Sequence, residues 1–273
     1  ILPAVKNTEE IAKIRHIKPG IAVHSPPSHS AFSDPIQFMG FIKKLRDLSD
    51  GKPIGFKLCI GRKQEFMDFC EAMICTGIKP DFITVDGGEG GTGAAPPSFA
   101  DHVSLPWVYG FSSLYKMFLE KKLTDRVVFI GSGKLGFPAK AAMAFAMGVD
   151  CINVAREAMM SIGCIQAQIC HTNKCPTGIA TQSKWLQNGI NVPLKSDRLA
   201  QYFKSFRKEF LEITHAAGYE HPCEFTMDDI QVNVDDHDLN KSLASTYGYH
   251  KVKVDFNGTQ DLKDCSYLGG KLV

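Results

Sequence analysis

The sequence predicts an α/β fold built on a parallel sheet. Short β-branched runs alternate with helix-length amphipathic runs as far as Val154, the pattern left by right-handed crossovers between parallel strands. Glycine-rich turns and charged residues fall directly after the strand runs, at the carboxyl ends where parallel α/β folds build their sites. At 273 residues the chain is long enough to bury a full core.

Taken in order, Ile21-Ala22-Val23-His24 is the first strand run, ahead of a helix over about 34–49 with apolar Ile36, Met39, Phe41, Ile42 and Leu45. Ile54 to Ile60 reads as a buried strand, followed by a helical period through Phe66, Phe69, Met73 and Ile74. Phe82-Ile83-Thr84-Val85 is the next strand, and a long Gly/Pro-rich loop separates it from a helix around 109–122. The run 126–130, the Ala-rich helix 138–147 and Cys151-Ile152-Asn153-Val154 complete about five β/α units. Five are three short of a closed eight-stranded barrel, so periodicity alone leaves the sheet open or closed. From about 184 the character changes to a long helix at 196–217 and a polar tail. We expect residues 1–183 to form the sheet domain, and 184–273 to be a helical and irregular extension packed on it or disordered in part.

Apolar residues make up 44% and charged residues 22%, as in an ordinary globular protein. The net charge of +2 comes from scattered Lys and Arg, which gives no nucleic-acid signal. No window holds the roughly 18 consecutive apolar residues of a membrane span. The start, Ile1-Leu2-Pro3-Ala4-Val5-Lys6, lacks a Met and a signal peptide. The expectation is a fragment or processed product, with an upstream anchor or targeting segment left open. The nine cysteines, Cys59, Cys70, Cys75, Cys151, Cys164, Cys170, Cys175, Cys223 and Cys265, form an odd set. Several stand among apolar residues, which fits a reducing cytoplasm better than a disulfide framework.

Three motifs carry chemistry. The first runs from Asp86 to Pro97, with Gly87, Gly88, Gly90, Gly91 and Gly93 around Glu89 and Thr92. Without Cβ atoms its backbone can approach a flat ring, and its carboxylates can take a ligand's donors; the bland alternative is a flexible surface loop. The second is Gly131-Ser132-Gly133-Lys134-Leu135-Gly136, a strand-to-helix turn whose N–H groups suit a phosphate. It lacks P-loop spacing, but with Ala155-Arg156 after the next strand it matches a barrel phosphate site. The third is the loop holding Cys164, Cys170 and Cys175, the last followed by Pro176. Three thiolates on a short irregular loop suit an iron–sulfur cluster. With no fourth Cys nearby, three irons are favoured over four. Zinc, with His171 as fourth ligand, is the rival. Lys57, inside an apolar strand, is either a snorkelling edge residue or a cation for an anionic ring or carboxylate. His24 and His29 read as packing or surface residues.

At this point the sequence resembles a known family. Arg15-His16 with Pro19-Gly20, Ser25-Pro26-Pro27, Lys57-Leu58, Gly90-Gly91-Thr92-Gly93-Ala94, Leu105-Pro106-Trp107 and the Cys164/Cys170/Cys175-Pro176 loop occur in the order of the FMN-binding synthase domain of glutamate synthase. The resemblance runs from about 1 to 182, and is to glutaminase-free relatives, since no amidotransferase segment is recognised. It implies a (β/α)8 barrel, TIM-barrel type, whose first strands are missing from this chain. It also implies FMN, a three-iron cluster, and reduction of 2-iminoglutarate, formed from 2-oxoglutarate and ammonia, to glutamate. Gly88, Gly90, Gly91, Thr92 and Gly93 would flank the flavin. Ser132, Gly133, Lys134, Ala155 and Arg156 would lie near its phosphate, and Lys57 and Glu89 near the ring or the 2-oxo acid. The electron donor would be ferredoxin or a reductase subunit, and ammonia could come from a separate glutaminase subunit. The sequence departs from the family where Glu89 replaces the usual Asp and Gly88 the preceding His. Alternatives are a different FMN-barrel oxidoreductase, such as an N-methylglutamate-synthase-type or other 2-oxo-acid-linked enzyme, or a non-catalytic iron–sulfur electron-transfer subunit.

Overall fold

The computed structural model describes residues 1–90, 98, 101–233 and 241–253. Four strands, β1 (Gly55–Cys59), β2 (Phe82–Asp86), β3 (Val128–Ser132) and β4 (Cys151–Asn153), lie side by side in chain order and all pair in parallel. The helices that precede and connect them are α1 (Glu9–Arg15), α2 (Pro35–Leu48), α3 (Lys63–Thr76), α4 (Trp107–Glu120) and α5 (Pro138–Met147). After the sheet come α6 (Arg156–Ser161), α7 (Lys184–Gln187), the long α8 (Val192–Ala216), a two-residue antiparallel pair of β5 (Gln231–Val232) with β6 (Lys241–Ser242), and α9 (Leu243–Tyr247). No helix among the described residues is long and apolar enough to cross a membrane.

Local chemistry fixes the boundaries. Asp34 caps α2 by accepting from the N–H of Gln37 at 2.8 Å, with Pro35 in the first turn. Asn191 does the same for α8, accepting from Leu194 N–H at 3.1 Å, which starts that helix at 192, ahead of the expected 196. α5 stops at Gly148, whose φ of 109° only glycine adopts freely and where a Cβ would meet the Tyr115 ring at 2.6 Å.

Two expectations need correction. Ile21–His24 is not a strand of the sheet. Val23 makes an isolated antiparallel bridge with Leu2, their N–H and C=O groups exchanging bonds of 2.8 and 2.9 Å, and Ile21 is half exposed. The chain's own first residues take up the backbone groups that a sheet neighbour would need. β3 begins two residues later than expected because Arg126 sits at φ +62°, a turn conformation no strand accommodates. The described sheet therefore has four strands where five were counted.

The two faces of the sheet differ. Side chains alternate along each strand, and Phe56, Leu58, Ile83, Val85, Phe129 and Ile152 point into a core covered by helices. Phe111, Leu114 and Phe118 of α4 are fully buried against it, with Phe118 meeting Phe129 edge-on at 5.3 Å. The opposite face carries Lys57, Cys59, Thr84, Asp86, Val128, Ile130, Ser132, Cys151 and Asn153, with Lys57, Cys59, Val128, Cys151 and Asn153 exposed. Phe210, Phe225, Met227 and Leu243, from beyond residue 184, belong to the same core as the sheet helices, and α8 packs on α5 and α6.

Candidate functional site

Pairing register sets out the site. Cys59, Asp86, Ser132 and Asn153 stand opposite one another and form a polar row across the carboxyl edge of the sheet. Lys57, two residues back on the uncovered face, bonds Asp86 through its Nζ at 2.7 Å to Oδ2. The pair is partly exposed, so its place at the head of the row matters more than its stability.

The glycine loop leaves β2 tied to its neighbours. Gly87 N–H donates to Ser132 O at 3.1 Å, Gly88 N–H to Leu105 O at 2.9 Å, and His102 N–H to Gly88 O at 2.9 Å. Gly90 turns at φ +86°. Glu89 points inward: its Oε1 accepts from the N–H of Trp107 at 2.6 Å, at the start of α4, where Pro106 has no side chain able to cap. A carboxylate there is favoured by the helix dipole. Its Oε2 is buried, has no partner among the described residues and lies beneath two glycine turns; a Cβ at Gly133 would be 3.1 Å from it, and one at Gly87 would collide with it. Gly91, Thr92 and Gly93 lie outside the described residues.

The second loop starts one strand over. Ser132 ends β3, Gly133 has no room for a side chain because a Cβ would lie 2.6 Å from that of Trp107, and Lys134 sits at φ +54°. Since Ser132 pairs with Asn153, Ala155 and Arg156 follow on the adjacent strand end, and the fold brings the two parts of the expected phosphate site together. Arg156 Nη2 is 4.0 Å from Asp101 Oδ2, both partly buried. Tyr202, from α8, donates its hydroxyl to Gly136 O at 2.7 Å and so holds this loop from outside. Burial, with the nearby Glu157 charge, pushes its phenol up to about 12, so it remains a donor. Neither Asp101 nor Tyr202 has a local sequence signal.

The cysteine loop follows α6. Cys164, Cys170 and Cys175 line one small hollow with Ile165, Ile169 and Pro176. Gln166, Gln168 and Asn173 take positive φ, as do Gly163 and Gly178, which bends the chain round the hollow. Asn173 holds the far side, its Oδ1 accepting from Gln182 N–H at 2.6 Å. Gln166 donates to Cys164 Sγ at 3.2 Å. Burial acts to push the Cys175 thiol up, but the Thr177 hydroxyl and the N–H groups of Ala180, Thr177 and Ile179 together draw it below the ordinary value. Donors aimed at sulfur favour the thiolate that a metal centre needs. Among the described residues no three or more His, Cys, Asp or Glu side chains are placed to hold a metal ion. A cluster would take each thiolate on a different iron, and the three thiols share the lining of one small hollow. Sequence reading missed Lys6, whose Nζ donates to Cys170 O at 2.5 Å and Ala180 O at 3.1 Å. His29 stacks on Phe32 at 4.7 Å, a packing role.

Comparison with known proteins fits this arrangement. A family model described as the conserved region in glutamate synthase matches residues 1–220. The glutamate synthase large subunit-like protein YerD of Bacillus subtilis is 39% identical over 231 residues, covering 85% of this chain and 44% of that protein. The ferredoxin-dependent glutamate synthase of Pyropia yezoensis is 33% identical over 230 residues, 84% of this chain and 14% of its own length. The chloroplastic ferredoxin-dependent enzyme of Spinacia oleracea is 31% identical over 219 residues, 80% and 13% respectively. The chain spans less than half the length of each of these relatives. With four-fifths of its residues inside the matched region, this chain belongs to the glutamate synthase family.

Proposed function

We propose that the chain is part of a flavin- and iron–sulfur-dependent oxidoreductase that reduces 2-iminoglutarate, formed from 2-oxoglutarate and ammonia, to glutamate. The observation that carries this reading is the cysteine loop: three thiols line one hollow, and the Cys175 sulfur lies 3.4 Å from the Thr177 hydroxyl. Cys164, Cys170 and Cys175 would hold the cluster, with three irons matching three thiols. Bound FMN would supply the hydride, and the cluster would pass single electrons to it.

The chain's own residues supply position and charge. Ser132, Gly133, Lys134, Ala155 and Arg156 would bind the flavin phosphate between the ends of β3 and β4. Gly88, Gly90, Gly91, Thr92 and Gly93 would let the backbone lie against the ring. Lys57, at the head of the polar row, would stabilise an anionic ring edge or the substrate carboxylate. Glu89, bound to the start of α4, would orient the glycine loop, and its buried Oε2, without a partner among the described residues, would accept from a donor.

The uncovered face of the sheet supports residues 1–183 as an arc of a (β/α)8 barrel, with 184–273 as its extension. Exposed Val128, Cys59 and Cys151 are what an arc presents to strands that complete it. The electron donor would be ferredoxin, as the names of the algal and spinach relatives state for those enzymes. Ammonia would be free or come from a separate glutaminase, in the cytoplasm.

The test is anaerobic purification of the protein containing this chain, with flavin, iron and sulfide analysis. Turnover is then followed with 2-oxoglutarate and either ammonia or methylamine, using a chemically reduced carrier. Flavin and cluster with ammonia-dependent glutamate formation are expected. Preference for methylamine would move the enzyme to the N-methylglutamate type, and cluster without flavin would leave only electron transfer. Absence of both groups overturns the proposal.

A further inference from the structure

We infer that Lys6 and Lys195 form a cationic clamp on the cysteine loop, fixing its main chain and offsetting the negative charge of the three thiolates. The inference rests on the iron–sulfur reading above. Lys6 reaches the loop from the far end of the sequence. Its two acceptors, Cys170 O and Ala180 O, bracket the segment that carries Cys175, so one ammonium closes that segment like a staple. Lys195 comes from α8 and lays its Nζ over Gly163, the residue before Cys164; a Cβ at Gly163 would be 2.6 Å from it. Gly163 also stands at φ +107°, a turn that favours glycine.

Neither lysine has an acidic partner among the described residues, whereas Lys43, Lys57, Lys121 and Lys208 each do. Carbonyl acceptors orient an ammonium but leave its charge in place. Two uncompensated positive charges thus stand against the main chain that carries the three thiols. A centre held by three thiolates becomes more negative on taking up one electron, with no atom transferred. Nearby cations favour that reduced state. Lys6 and Lys195 are therefore positioning residues that act on the centre through charge.

The experiment is a one-electron redox titration of the cluster, followed by absorbance and electron paramagnetic resonance, in the parent protein and in Lys6→Met, Lys6→Arg, Lys195→Met and Lys195→Arg. Each Met variant should lower the reduction equilibrium constant about tenfold, which is about 59 mV for a one-electron couple. Each Arg variant should stay near the parent. Loaded Met variants with the parental potential overturn the inference and leave the lysines merely structural. If Lys6→Met fails to retain iron, Lys195→Met, which removes no side-chain hydrogen bond among the described residues, decides on the same criterion. A parent protein without iron removes the iron–sulfur reading itself, an outcome distinct from an unshifted potential.

Discussion

The two ends of the sheet are built in opposite ways. At the amino end, carboxylates and a strap of tail tie strands and helix ends together. Asp81 accepts from Ile54 N–H at 2.7 Å and pairs with Arg46 at 2.8 Å, while Asp150 accepts from Phe129 N–H at 2.8 Å. Tyr249 donates to Met147 O at 3.1 Å and Lys251 to Phe145 O at 3.0 Å, neutralising the end of α5. At the carboxyl end stand the polar row, the glycine turns and a buried Glu89 oxygen without a partner among the described residues. Acidic and basic groups appear at both ends. At the first they are consumed in holding strands together, and at the second they are held in place but left with spare bonding capacity.

Substitutions can break this contrast, and the largest effect belongs to the core beneath the closed end. Phe129→Ala, at a site 2% exposed among Phe111, Tyr115 and Phe118, should cost about 3–5 kcal/mol in denaturant unfolding. Asp81→Ala, which strands the N–H of Ile54 and the Arg46 guanidinium, should cost about 2 kcal/mol by the same measurement. Tyr249→Phe removes one buried hydrogen bond of the strap, and should cost about 1 kcal/mol.

At the open end stability and activity should separate. Lys57→Met should change unfolding free energy by less than about 1 kcal/mol, because its pair with Asp86 is partly exposed. Turnover should fall about a hundredfold if the ammonium stabilises developing charge, and an unchanged rate and flavin potential would remove Lys57 from the site. The smallest expected effect is a pH dependence at the closed end. Burial pushes the Asp150 carboxyl up, against the pull of Phe129 N–H and the Lys251 charge. A carboxyl raised above its unfolded value contributes stability below the unfolded value, and that contribution is lost as pH rises through the folded one. Measured against Asp150→Asn, the parent should therefore lose ground from about pH 4 upward; a gap that widens in the parent's favour would contradict the assignment.

Legibility in the sequence followed the range of the forces involved. Helices α2, α3 and α5 were readable because the apolar and Ala-rich spacing that marks them acts within a turn or two; the Asp34 cap and the glycine stops set their ends in the structure. The run 21–24 misled because a four-residue apolar strand pattern says nothing about its partner, and here Leu2 supplied it. The site behaved alike. Ser132 to Lys134 and Ala155-Arg156 were flagged by turn chemistry, and parallel register joined them. Asp101, Tyr202, Lys6 and Lys195 carried no signal, because each reaches its target across long chain separations through one side-chain atom.

Order of elements, the strand-end placement of the glycine turns, and the set of three thiols belong to the amino-acid sequence itself, since they depend on residue type and spacing along the chain. Which face of the sheet is covered, that Glu89 turns inward to the start of α4, and that Lys6 and Lys195 approach the cysteine loop were decided only by tertiary packing. The physical reason is that burial and charge pairing are properties of neighbours in space, and a side chain's neighbours exist only after the chain has closed on itself.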